Sequence, residues 1–252
     1  MIPALLVSFP GPYPASRHAV GGKGASLLRM GAAGLPVPPG VILTTAFFEP
    51  WFVAVQASSA WTQLIQASPA AWGPLCTAVK AYAQTLVLTT QQHDALGAAR
   101  QAFGSPDHTV RLAVRSSAPE EDLATASFAG GYETRLGVRP EQLDEAVRAC
   151  FASSLDVRVL LYKHERGFDV GAPRLAVIVQ RQLDSQIAGV GFSLNPLTND
   201  YDEVVINANW GLGTSVVDGQ VTPTAPLGLA SCRIRPLSCV RYRALFRRRC
   251  ST

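Results

Sequence analysis

The segment RLAVIVQRQL, residues 174–183, limits the folds open to this chain more than any other stretch. Its middle is continuously apolar and shows no alternation between apolar and polar positions. A strand with this pattern is typically buried on both faces, so it lies inside a sheet rather than at its edge. The segment therefore predicts a layered fold in which helices cover a sheet that contains this strand.

Other segments supply those helices and the neighbouring strands. Helical spacing of apolar residues predicts helices within residues 21–34, 46–103 and 140–166. Further strands are predicted within residues 109–116 and 131–138 and in the segments GVILTT, IAGVGFSLNP and EVVINAN. The fold class predicted from this order is α/β, of the mixed α+β kind.

The turn FGSPDHT predicts a boundary between two lobes. We expect a first lobe over residues 1–105, which holds the glycine loop around Lys23 and most of the helices. A second lobe, residues 106–225, is expected to hold a mixed sheet and the loop around Gly130. Apolar periodicity fades after Pro223, and residues 226–252 form an arginine- and cysteine-rich tail.

The formal net charge of +4 comes from that tail. Residues 231–252 hold seven arginines and no acidic residue, and the remaining 15 basic and 18 acidic residues give a balance of −3. Such a tail could bind nucleic acid or an anionic surface, or it could be a solvated or aberrant C-terminus. We expect the second, so a nucleic-acid partner is unlikely on these grounds.

The cysteine usage predicts a reducing, cytoplasmic setting. Three of the five cysteines lie in the tail, and no C-x-x-C pair occurs, which disfavours a zinc or redox site. The four histidines are scattered without metal spacing. No run approaches the roughly 20 apolar residues of a membrane span, so we expect no membrane partner and no metal bound by these side chains.

The common nucleotide signatures are absent from the sequence. A Walker A loop fails because Gly24, not Ser or Thr, follows Lys23, and no G-x-G-x-x-G occurs. Lys23 is nevertheless one of only three lysines, and it lies between glycines at a predicted helix start. Backbone amides and the helix dipole favour an anion there. The alternative is a solvated lysine in the first turn.

Arg115 stands where the apolar run of RLAVRSS stops. Its guanidinium offers a rigid fork that matches phosphate oxygens. The alternative is an ion pair with one of the acids Glu120, Glu121 and Asp122, which otherwise resemble a solvated helix start. Fifteen residues after Arg115, the pair that begins at Gly130 permits close backbone approach, and Thr134 could add a hydroxyl. An ordinary hairpin turn would explain the glycines equally well.

Five blocks in order, GGKGASLLRMGAAGLPVPPGVILTT, VRSSAPEEDLATASFAGGYET, VIVQRQ, AGVGFSLNP and VVINANWGLGTSVVDGQVTP, carry a family resemblance. Together they resemble the N-terminal ATP-binding domain of phosphoenolpyruvate synthase, pyruvate phosphate dikinase and rifampin phosphotransferase, over roughly residues 15–223. The resemblance implies a two-lobed, ATP-grasp-like fold. It also implies a dikinase function, in which ATP phosphorylates a histidine carrier on the way to pyruvate and gives AMP and phosphate.

Site residues follow from the resemblance one at a time. Lys23 and Arg115 match the lysine and arginine that reach the phosphates, and they are the predicted catalytic residues. Gly130 and Thr134 match the loop that closes over the phosphates, and Gln180 matches a glutamine beside the nucleotide. All five are therefore expected to bind ATP, with Mg²⁺ implied as its companion ion.

The sequence also departs from the family pattern. Gln182 stands where the family usually has methionine, and the match fades before the segment that supplies the family's magnesium ligands. We therefore expect a truncated domain that is inactive alone, with a separately encoded portion as a possible partner. The alternatives are a non-catalytic nucleotide-binding remnant, a partner subunit, or a fragment of a rifampin phosphotransferase.

Overall fold

The structure is a computed structural model. It describes residues 4–11, 15–104, 109–120, 132–195, 198–214 and 230–234, the last range as backbone only. Its helices are α1 (Arg17–Ala32), α2 (Thr45–Gln56), α3 (Ser59–Gln66), α4 (Trp72–Thr85), α5 (Thr90–Ala102), α6 (Leu143–Ser153) and α7 (Val157–Glu165). Its strands are β1 (Leu6–Phe9), β2 (Gly40–Leu43), β3 (Leu112–Ser117), β4 (Thr134–Val138), β5 (Ala176–Arg181), β6 (Ile187–Phe192), β7 (Val204–Trp210) and β8 (Ala230–Ile234). The mixed α/β class expected from the sequence is confirmed.

The chain divides into two compact units, Met1–Leu183 and Asp184–Thr252. The first unit contains a five-stranded sheet in the order β1-β2-β5-β3-β4. The second contains a three-stranded sheet in the order β6-β7-β8. The division into lobes at residues 105 and 225 stays a prediction. The five-stranded sheet nevertheless joins strands from both sides of residue 105, and β8 lies within the stretch assigned to the tail.

The continuously apolar segment within residues 174–183 forms β5, in the middle of the larger sheet. It pairs with β2 on one side and β3 on the other, and its residues Ala176–Val179 are fully buried. Every described strand pair is antiparallel, where the sequence predicted a mixed sheet. Side-chain periodicity is the same in both orientations, so it does not distinguish them.

The two faces of the larger sheet are covered by different helices. One face, here the α1 face, packs Ile42 and Ile178 against Val20, Leu27 and Leu28 of α1. The opposite face packs against an aromatic cluster from α2 and α6, whose members are Phe47, Phe48, Trp51, Phe52 and Phe151. Both faces are thus removed from water, as the apolar pattern of β5 requires. Within the described part of the chain, we find no helix with the length and apolarity needed to cross a membrane.

Candidate functional site

The candidate site is built where the start of α1 meets the end of β3. The Gly22 amide donates to the Ala118 carbonyl at 2.9 Å, and the Gly24 amide donates to the Ser117 hydroxyl at 3.1 Å. The Ser117 hydroxyl in turn donates to the Val20 carbonyl at 2.9 Å. These bonds join segments that are more than ninety residues apart in the sequence. They hold the glycine loop of α1 against β3.

Gly21 is required for this close approach. Its φ of 73° and ψ of 176° interrupt α1, so the continuous helix begins only after it. A Cβ atom on Gly21 would lie 2.1 Å from the Ser117 carbonyl oxygen. This distance is too short for any side chain to be accommodated. A residue with positive φ and no room for Cβ must be glycine. The sequence predicted a helix start at this loop, and the kink defines where that start lies.

Lys23 extends from this loop toward β3. Its Nζ atom donates to the Ser116 carbonyl oxygen at 3.2 Å. Ser116 directly follows Arg115, so the two predicted phosphate-binding cations lie at the same end of one strand. Lys23 thus contacts the residue next to Arg115, although Lys23 and Arg115 are 92 positions apart in the chain.

Arg115 is half-buried on β3, directly opposite Thr134 on β4. Residues that face each other across antiparallel strands project on the same side of the sheet, so the two side chains share a face. Among the described residues, the Arg115 side chain makes neither a hydrogen bond nor an ion pair. A half-buried guanidinium without a counter-charge is unfavourable, and an anion would relieve that penalty.

The acids after β3 behave differently from the sequence prediction. Glu120 pairs with Lys163 of α7, and its side chain is only 15% exposed. It is therefore neither a solvated helix residue nor the partner of Arg115. Glu121 and Asp122 lie outside the described residues, as does Gly130, whose role stays a prediction.

Gln180 lies on the same face of the sheet as Arg115. It pairs with Ala113, two residues before Arg115, while Ile178 lies directly opposite Arg115. Because alternate residues of a strand share a face, the three predicted residues of the sheet project toward the side that α1 covers. The Gln180 amide nitrogen donates to the Pro38 carbonyl at 3.0 Å. This bond fixes the proline-rich approach to β2.

The position of Thr134 is set by its neighbour Glu133. The Glu133 carbonyl accepts from the Ser116 amide at 3.1 Å, and the Glu133 amide donates to the Ser153 hydroxyl of α6 at 3.2 Å.

Cys150, one turn earlier on α6, is buried against the same strands, and burial raises the pKa of its thiol to about 12. The thiol is therefore a neutral packing group and not a nucleophile.

The sequence argument missed three residues of this arrangement, namely Gly21, Ser117 and Lys163. The glycine and the serine lie inside blocks that had already been singled out, but only the contact between α1 and β3 assigns them a role. Lys163 offered a weaker signal, since it is one of three lysines in a chain with many arginines. Lys23 and Arg115 place two cations at this part of the sheet, and such charges can attract an anion.

Comparison with known proteins identifies relatives for most of the chain. The family defined as the pyruvate phosphate dikinase AMP/ATP-binding domain matches residues 17–231. The chain is 34% identical to a probable phosphoenolpyruvate synthase of Methanothermobacter thermautotrophicus, in an alignment covering 81% of this chain and 31% of that protein. It is 33% identical to the phosphoenolpyruvate synthase of Pyrococcus furiosus, with 81% and 30% covered.

A third relative is named for a different activity. The prodigiosin synthesizing transferase PigC of Serratia marcescens is 37% identical over 88% of this chain and 23% of its own length. The chain thus spans less than a third of the length of each of these three relatives. The matched part is the same kind of domain in proteins that carry further segments.

Proposed function

Because the chain belongs to the pyruvate phosphate dikinase AMP/ATP-binding domain family, whose fold is ATP-grasp-like, we propose that Lys23 and Arg115 bind the phosphates of ATP. One arrangement carries this proposal. The Arg115 side chain is half-buried without a described partner, and Lys23 contacts the next residue of the same strand, Ser116. A polyphosphate would supply negative charge beside the Arg115 guanidinium, which has no such partner among the described residues. Its oxygens match the guanidinium fork and the ammonium donors.

Each residue has a distinct part in the proposal. Arg115 binds two phosphate oxygens through its planar fork. Lys23 keeps its bond to the Ser116 carbonyl and donates a second hydrogen of its ammonium to a phosphate. Thr134 adds a hydroxyl from the strand opposite, and Gly130 adds a backbone amide. Gln180 contributes by position, because its amide is engaged with Pro38 and holds the chain that leads into β2.

The reaction that these residues serve is phosphoryl transfer. In that chemistry the protein mainly neutralises charge and orients the groups, with little covalent participation. We propose the reaction type of phosphoenolpyruvate synthase: a phosphoryl group passes from ATP to a histidine carrier and then to pyruvate, with AMP and phosphate as products. Lys23 and Arg115 would be its catalytic residues within this domain, since they touch the phosphates.

The carrier and the acceptor site belong to the part of the relatives that this chain does not span. We propose that a separately encoded or following portion supplies them. The alternative of a non-catalytic nucleotide-binding domain predicts ATP binding without transfer. A pyruvate-independent acceptor, as in a rifampin phosphotransferase, predicts transfer without phosphoenolpyruvate.

Magnesium enters this proposal only with the nucleotide. Among the described residues, no group of three or more His, Cys, Asp or Glu side chains is positioned to hold a metal ion. The described residues therefore offer no magnesium site of their own. The ion is treated as part of the substrate, Mg–ATP.

A reducing, cytoplasmic setting fits this assignment. Cys76 and Cys150 are buried free thiols, and burial raises the pKa of Cys76 to about 11. Both remain protonated at neutral pH and serve as small core residues.

Replacing Arg115 with alanine tests the proposal. A hydrogen bond to a charged group contributes about 1.5–3 kcal/mol, so Arg115→Ala should weaken Mg–ATP binding about 10- to 100-fold in calorimetry. The matched control is Arg29→Ala, because Arg29 is an exposed arginine near the other end of α1. Equal affinity of the parent and the Arg115 variant would refute the assignment, as would an equal loss in the control.

A further inference from the structure

The run of residues 116–120 at the end of β3 has contacts on both sides. Ser116, Ser117 and Ala118 bind Lys23 and its two flanking glycines, as described above. The Pro119 carbonyl accepts from Arg17 Nε at 2.9 Å. Four consecutive residues of this run therefore contact α1, and the fifth, Glu120, pairs with Lys163 of α7.

Lys163 is an unusual lysine for its position. It lies near the end of α7, its side chain is 2% exposed, and its ammonium is in direct contact with the Glu120 carboxylate. Lysine is almost never buried to this degree unless it is paired. Removing either partner leaves a charge with little access to water, so the pair fixes the position of Glu120 strongly.

The Lys163–Glu120 ion pair therefore fixes one end of residues 116–120, and Lys23 contacts the other end at Ser116. The Lys23 ammonium contacts the Ser116 carbonyl, and only three residues separate Ser116 from Glu120. We propose that Lys163 is a positioning residue for the nucleotide site: through Glu120 it fixes residues 116–120, and so orients Lys23. This inference rests on the proposed function for its effect on ATP, but its effect on Lys23 does not.

The three lysines of the chain, Lys23, Lys80 and Lys163, make a direct test possible. Lysine labelled with ¹³C at Cε gives three side-chain signals, which three Lys→Arg variants assign. In Lys163→Met the Lys23 signal should move by more than its linewidth toward the value of a free lysine side chain. In Lys163→Arg it should stay near its position in the parent, because arginine preserves the ion pair.

Lys80→Met is the matched control. Lys80 pairs with Asp156 at 2.9 Å, and Asp156 caps the start of the same helix α7. This variant also removes an ion pair of α7, but one that does not reach residues 116–120. The Lys23 signal should remain where it is in the parent protein.

Mg–ATP affinity is the second readout. Lys163→Met should weaken binding about tenfold, since misplacing a binding group from a distance has effects of this order, whereas Lys163→Arg and Lys80→Met should bind as the parent does. If Lys163→Met does not fold, the double variant Lys163→Met/Glu120→Gln removes both charges and keeps the test available. An unmoved Lys23 signal in both the single and the double variant overturns the inference. If the parent binds no ATP, the proposed function fails, while the Lys23 signal still decides this inference.

Discussion

At the residue scale, the structure separates charges that hold the fold from charges that are available for a ligand. Lys80, Lys163 and Glu120 are all engaged in ion pairs. Arg115 has no such partner among the residues that the structure describes. A charge kept half-buried without a protein partner indicates a binding role more strongly than its residue type does.

Asp156 allows one of the structural charges to be tested by pH. Burial by itself would raise the pKa of Asp156, but hydrogen bonds from Lys80 and Arg158 outweigh it and hold that pKa below its usual value. A lowered pKa stabilises the fold above the unfolded value of about 3.9, and this stabilisation is lost as the pH falls through the folded pKa.

Asp156→Asn should therefore lower the free energy of unfolding at pH 7 by up to about 1 kcal/mol, as expected for a partly exposed pair. Asparagine is an equally good N-cap, so the variant removes the charge and keeps the cap of α7. The difference between variant and parent should shrink as denaturation is repeated toward pH 3. A difference that stays constant over this range would show that the charge is not the cause.

At the element scale, the contact between α1 and β3 determines the geometry of the site. Its tightest point is Gly21, which combines a positive φ with a close approach to Ser117. Gly21→Ala should lower the melting temperature and weaken ATP binding, because the clash moves Lys23 away from Ser116. The backbone conformation of Gly21, with φ 73° and ψ 176°, is by itself unfavourable for a non-glycine residue by about 1–3 kcal/mol.

Gly34→Ala separates the cost of the backbone conformation from the cost of the steric clash. Gly34 has nearly the same φ, 74°, but nothing lies within 4 Å of an added Cβ. This variant should lose only the conformational term and keep its affinity for ATP. Equal losses of stability and affinity in the two glycine variants would mean that the α1–β3 contact is looser than described.

The larger elements could be predicted from the sequence because their signals are local. The buried pattern of β5 and the helical spacing of residues 46–103 each lie within one continuous stretch, and both match the structure. Two short strands, β1 and β8, were not predicted. β1 lies in a proline-rich start, and β8 pairs with β7 through its backbone, which needs no apolar pattern.

The details of the site could not be predicted in this way. The pairing of Lys163 with Glu120 joins residues 43 positions apart, and a single sequence carries no local trace of such a contact. A shared role for Lys23 and Arg115 was expected from the family resemblance rather than from spacing, and the contact of Lys23 with Ser116 is what the structure adds. The structure adds the reason, namely the hydrogen bonds from the glycine loop to Ser116, Ser117 and Ala118.

At the scale of the whole molecule, the chain is one domain type found within longer relatives. It shares about a third of its residues with phosphoenolpyruvate synthases and with PigC. Relatives with different named activities match the same region, which belongs to an AMP/ATP-binding domain family. We therefore propose that ATP binding is what these proteins share and that the segments that differ determine the acceptor.

The central claim is that Lys23 and Arg115 recognise the phosphate chain of ATP. The most direct measurement compares the dissociation constants of ATP and adenosine for the parent and for the double variant Lys23→Ala/Arg115→Ala. Our account predicts that the parent prefers ATP by about 100-fold or more, as two charge-assisted contacts imply. It also predicts that the double variant loses most of this preference while its affinity for adenosine is unchanged. An equal loss for both ligands, or an unchanged preference, would contradict it.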